Sequence, residues 1–155
     1  HFPGHGRTLT DSHFKTATTI VDTYTLETTD LRPFITAIQN NASFMMVSHV
    51  LYPALDRIKI ATFSKKIITN LLRNQLDFKG IIITDDLTMK AALNNSKRNV
   101  YIDSFDAGVD MLLTIAPLNK IENEIKRLKT YIIENQKTDV VDNRYNRIQK
   151  VKKDL

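Results

Sequence analysis

The chain has 155 residues, 42% of them hydrophobic and 25% charged, which suits one globular domain with a buried core. It holds no apolar run long enough to cross a bilayer and no recognisable leader, and without cysteine it has neither disulfides nor thiolate metal sites. Much of the formal charge of +5 lies late in the chain, and no aromatic residues interleave with the terminal "RIQKVKKDL", so nucleic acid is not an expected partner.

The opening stretch "HFPGHGRTLTDSH" carries three of the four histidines. Pro3-Gly4 interrupts any helix through residues 1–6, so His1 and His5 lack the one-face spacing of a helical metal pair. A zinc site built on His1, His5, Asp11 and His13 is therefore not favoured. Asp11 and His13 stand two residues apart, and in an extended segment both side chains project to one side and meet. A carboxylate on one ring nitrogen fixes the tautomer and leaves the other nitrogen to exchange a proton. Taken alone, such a pair is more often part of a surface loop.

Further along, "DLRPFITAIQNN" predicts a helix with Asp30 as its N-cap and Pro33 in the first turn. "ASFMMVSHVLY" is an apolar run of strand length. "SKKIITNLLRNQL" predicts a helix capped by Ser64, with Ile67, Ile68, Leu71, Leu72 and Leu76 on one face. In "FKGIIITDDLTMKAA" three consecutive isoleucines cannot alternate between core and water, so this strand is expected to be covered on both faces. "SKRNVYIDSFDAG" predicts a helix stopped at Gly108, "VDMLLTI" a third buried strand, and a basic helix follows from about Asn119. Its Ile121, Ile125, Leu128 and Ile132 form one apolar stripe among solvated lysines.

Alternating strands and helices with short connections define an α/β fold of parallel strands and helical crossovers. A doubly wound sheet and a (β/α)8 TIM barrel both fit. A barrel needs about 250 residues, so the four units here would make the second half of one. In either architecture the C-terminal ends of the strands carry the chemistry, which selects the two acids of "GIIITDD". Successive residues face opposite ways, so one of Asp85 and Asp86 aims into a given site. Asp85 is the candidate nucleophile or acid, and Asp86 reads as a turn or helix cap.

"HFPGHG" followed by "DSH", and later "FKGIIITDDLTMKAA" and "DAGVDMLL", resemble the catalytic barrel of glycoside hydrolase family 3, in its β-N-acetylglucosaminidase (β-N-acetylhexosaminidase) branch. "LRPFITAIQNNASFMMVSHVLYPALD" is similar to the next helix and strand, so the resemblance runs from His1 to about Ile115. It implies Asp85 as the nucleophile and Asp11 with His13 as an acid/base dyad on a loop. It implies His1 as the second member of a Lys-His pair that contacts sugar hydroxyls. The implied reaction is retaining hydrolysis of terminal β-linked N-acetylglucosamine from peptidoglycan-type or chitin-type oligosaccharides, with no metal or organic cofactor.

The lysine of that pair is absent, as are the strands that would supply other sugar-binding residues. Residues 1–155 therefore read as the C-terminal part of one catalytic barrel whose N-terminal half lies outside the chain and would be its packing partner. Two alternatives stand beside this reading. A β-glucosidase of the same family would share the nucleophile strand but not the "DSH" loop. A noncatalytic barrel fragment would bind sugar or pack with a partner only.

Overall fold

The computed structural model describes residues 1–154. The elements in chain order begin with β1 (Ala17–Thr18), α1 (Thr23–Thr25) running on into a wider helical turn over Leu26–Asp30, and α2 (Arg32–Gln39). Next come β2 (Phe44–Val47), β3 (Val50–Leu51), a single tight turn of helix at Ala61–Phe63, a wide helix over Lys66–Gln75, and β4 (Ile81–Thr84). The chain continues through α3 (Lys90–Asn95), α4 (Val100–Ala107), α5 (Leu118–Glu134) and α6 (Thr138–Asp154).

Every strand pairing is parallel. β2 pairs with β4 in the register Phe44 with Ile81 through Val47 with Thr84, and β1 pairs with β3, Ala17 opposite Val50. Single bridges add Phe2 beside Val47 and Met111 beside Ile83. The pairings make two two-stranded sheets, β1 with β3 and β2 with β4, and β2 and β3 are two parts of one extended run broken at Ser48–His49, with Phe2 and Met111 bridged to its two sides through β2 and β4. Counting β2 and β3 as one run, each pairing joins segments that follow one another along the chain.

The isoleucine run behaves as its composition demands. Ile81 and Ile82 are buried, Ile82 joins Val47, Val50, Ile67, Ile68 and Leu72 in the main core, and Ile83 on the opposite face is half-buried. Burying a side chain of this size contributes about 1.5–3 kcal/mol. Ser64 accepts a hydrogen bond from Ile67 N–H at 3.2 Å and so caps the Lys66–Gln75 helix. Gly108 closes α4 at φ 112°, the left-handed geometry that favours glycine.

Three expectations need correction. Asp30 does not cap α2, whose first turn carries no side-chain cap, because the chain arrives there already helical from Thr23 with Asp22 as the cap. Asp30 instead receives Arg7 Nε at 2.6 Å and ties the opening loop to the helix. "VDMLLTI" forms one bridge at Met111 and continues as a half-buried extended segment, held by Thr84 and Leu87 rather than by a full ladder. The "ASFMMVSHVLY" strand is split at Ser48–His49, where side-chain hydrogen bonding interrupts the ladder.

A buried ion cluster fastens the base of the sheet. The fully buried Asp110 carboxylate accepts from Ile82 N–H at 2.8 Å and from Arg73 Nη2 at 2.6 Å, and it also pairs with Arg147 of α6. This joins the last extended segment, β4 and two helices at one charge.

Candidate active site

β4 stops where its apolar residues stop. Thr84 spends its hydroxyl on Leu113 N–H, and the next two residues are acids in a turn. By strand parity Asp85 belongs with Ile81 and Ile83, on the face that opens toward the strand end, and Asp86 belongs with Ile82 and Thr84. Their partners differ accordingly. Asp86 accepts Thr88 N–H at 3.0 Å, Thr88 Oγ1 at 2.6 Å and Ile115 N–H at 3.1 Å, so its carboxylate is consumed by the turn.

Asp85 is free of such duties apart from one bond from Asp86 N–H to Oδ1 at 2.8 Å. Its Oδ2 lies 3.3 Å from His1 Nε2, with the aspartate side chain 19% exposed and the histidine 45%. Burial pushes the Asp85 carboxyl up, but the His1 contact and the Asp86 N–H outweigh it, and the net shift is down. His1 moves the other way, raised by its bond to Asp85 against the opposing effect of burial. The pair thus favours an ionised Asp85.

Asp11 and His13 meet as expected, though not in an extended segment. Asp11 C=O accepts Phe14 N–H at 3.2 Å, and its Oδ1 accepts both His13 N–H at 2.9 Å and His13 Nδ1–H at 2.7 Å, so a turn brings the pair together. The two bonds from His13 hold the Asp11 carboxyl below its ordinary value. The dyad is open to water, with side chains 56% and 70% exposed for Asp11 and His13. Nε2 of His13 has no partner within the protein among the described residues, which leaves it available for proton exchange.

No direct contact joins His13 to Asp85. A line of neighbours does. His1 packs edge-to-face on His5 at 6.3 Å between ring centroids, His5 Nε2 lies 3.1 Å from Ser12 Oγ, and Ser12 precedes His13. The His13 carbonyl also accepts Lys90 N–H at 3.4 Å, resting the loop against the start of α3. No three histidine or acidic side chains gather closely enough to hold a metal ion among the described residues. A cleft of about 550 Å³ begins at Leu87 and Thr88, just past the acidic turn, and runs to Tyr101, Ile115 and Lys120.

The sequence reading missed His49. It is fully buried in the break between β2 and β3, with Nδ1 2.7 Å from Thr62 Oγ1 and Nε2 3.0 Å from the Asp86 carbonyl oxygen. A histidine at the polar end of an apolar strand is the one signal that could have marked it.

Parallel strands, helical crossovers and a carboxylate at a strand's C-terminal end define an α/β domain of the kind that carries its chemistry at that end of the sheet. The chain belongs to glycosyl hydrolase family 3: the model of that family's N terminal domain matches residues 1–151. A β-hexosaminidase of Nitrosomonas eutropha is 41% identical over 114 residues, covering 73% of this chain and 32% of the relative. The solved structure of a glycoside hydrolase family 3 β-N-acetylglucosaminidase from a Paenibacillus species superposes with a TM-score of 0.93 at 29% identity, over 99% of this chain and 30% of that one. The β-N-acetylglucosaminidase from Thermotoga maritima gives a TM-score of 0.83 at 28% identity, over 97% and 33%. The chain thus spans about a third of the length of these relatives.

Proposed function

We propose that this chain supplies the nucleophile and the acid/base pair of a retaining β-N-acetylhexosaminidase. The observation that carries the reading is an ionised, lightly engaged Asp85 at the end of a buried strand, in a chain that also holds an imidazole tied to a carboxylate on a loop that rests against the start of α3. Asp85 attacks the anomeric carbon and forms an ester, while His13 gives its Nε2 proton to the departing glycosidic oxygen as the C–O bond breaks. Water then attacks the same carbon, its proton passes to Nε2, and Asp85 leaves as a free carboxylate. Asp11 holds Nδ1 throughout and stabilises the imidazolium that His13 forms before the first step and again after the second, with a neutral imidazole between them.

The substrate class is a terminal β-linked N-acetylglucosamine, in keeping with the names of the relatives, and the oligosaccharide that carries it is proposed to be of the peptidoglycan or chitin type. His1 is assigned to the sugar hydroxyls as well as to Asp85. The chain is read as the second half of a (β/α)8 barrel, which its four parallel segments in unbroken chain order support. The rest of the barrel then lies outside these residues, and activity is expected only when it is present.

The test is a slow substrate that lets the glycosyl-enzyme accumulate on a protein carrying these residues together with the remaining barrel. Digestion and mass mapping should recover the sugar ester on Asp85, and Asp85→Ala should abolish turnover. A label on Asp86, or product of inverted configuration, overturns the assignment.

A further inference from the structure

We infer that His49 is a positioning residue for the proposed nucleophile, holding the backbone that orients Asp85; this rests on the reading of Asp85 given above. The imidazole sits wholly inside the fold, so neither ring nitrogen exchanges with bulk water. Nε2 faces the Asp86 carbonyl oxygen at 3.0 Å, and a carbonyl only accepts, so Nε2 carries a proton. Burial lowers the affinity of His49 for a second proton, against the pull of Asp85 and Asp86 and with His1 opposing it, which leaves the ring neutral. Nδ1 is then bare and accepts the Thr62 hydroxyl at 2.7 Å. The Thr62 hydroxyl also donates to the Ser48 carbonyl at 2.8 Å, so its one proton is shared between Nδ1 and that carbonyl, which accepts Thr62 N–H at 3.2 Å as well.

The Thr62 proton is thus shared, and each bond beyond it toward the acidic turn has a proton of its own. Thr62 donates to His49, His49 donates to the Asp86 carbonyl, and Asp86 N–H donates to Asp85 Oδ1 at 2.8 Å. Residue 86 is gripped through its carbonyl from the neighbouring strand, and its N–H aims the carboxylate next to it. This gives a reason for the break between β2 and β3: the two residues that leave the regular ladder there include the one that reaches across to the acidic turn. His49 does not touch the reacting atoms in this scheme, and both its nitrogens are committed.

The test uses the protein with its full barrel and follows the rate of ester formation on Asp85. His49→Leu fills the space without a donor and should lower kcat and ester formation about 100-fold, as misplacement of a reacting group by about 1 Å does, with KM within about threefold. His49→Gln keeps an N–H for the Asp86 carbonyl and should recover most of the loss. Thr62→Val leaves Nδ1 without a donor and should fall between them. Long-range proton–nitrogen NMR spectra of the parent should find His49 protonated at Nε2 and bare at Nδ1, which tests the scheme even where a variant does not fold. Ester formation at the parent rate in His49→Leu, or an Nδ1–H or doubly protonated His49, overturns the inference. Absence of any label on Asp85 in the parent overturns the underlying reading instead.

Discussion

Removing the Asp86 carboxylate tests its service to the turn apart from the role proposed for Asp85. A helix or turn cap that makes one hydrogen bond is worth about 1 kcal/mol. Asp86 accepts three, from Thr88 N–H, Thr88 Oγ1 and Ile115 N–H, and the last of these joins the turn to a segment 29 residues further on. Each such bond contributes about 0.5–1.5 kcal/mol net. The Thr88 hydroxyl can rotate to water and the turn is only partly buried, so the bonds do not add in full. Asp86→Ala should destabilise the protein by about 2 kcal/mol. Asp86→Asn keeps an oxygen for the two N–H donors and should cost about half as much. Urea denaturation with an unchanged m-value is the measurement. A loss under about 0.5 kcal/mol in the alanine variant, or an asparagine variant as unstable as alanine, would refute the assignment of this carboxylate to the turn.

Other predictions follow from the same geometry. His13→Ala should slow a substrate with a poor leaving group far more than an activated aryl glycoside, whose departure needs little protonation, and equal losses on both would point to a structural role. His1→Ala leaves burial of Asp85 opposed mainly by the Asp86 N–H, so the Asp85 pKa should rise and the acid limb of kcat/KM should move to higher pH. The stability lost in the same variant should be greatest above the ordinary aspartate value and below the ordinary histidine value. It should shrink as pH rises from there through the raised pKa of His1, or falls through the lowered pKa of Asp85. Asp110→Ala strands Arg73 and Arg147 beside a vacated buried site and should cost about 3–5 kcal/mol in denaturant unfolding, since breaking a buried pair leaves an uncompensated charge.

What could be read from the sequence is what depends on neighbours in the chain. The triple isoleucine, the Ser64 cap and the left-handed stop at Gly108 are local statements, and each appears in the fold as expected. Asp11 and His13 were legible as a pair because they lie two residues apart, although the turn that joins them depends on backbone bonds that residue type does not encode. Asp30 misled because a good capping residue was bound instead by Arg7, 23 residues earlier. His49 was hidden for the same reason: its partners are 13 and 37 residues away. The Asp110 cluster likewise gathers side chains 37 residues apart on both sides. Long-range polar contacts of this kind carry no periodic signature.

The opening loop has an unusual anchorage. Phe2 is bridged to Val47, and Ala17 is paired with Val50, so the segment 3–16 leaves and rejoins the sheet against one and the same neighbouring strand. Its two feet stand three strand residues apart, about 10 Å at 3.3 Å per residue. The loop is thus an inserted module on a fixed base, and its length and sequence can change without altering the register of any strand. Asp85 hangs from a different strand, β4, whose position is set by the core. On the roles proposed above, proton donation and nucleophilic attack are consequently modular in this architecture. A transplanted loop of another length, closed on the same two feet, would exchange the proposed proton donor while Asp85 stays where it is.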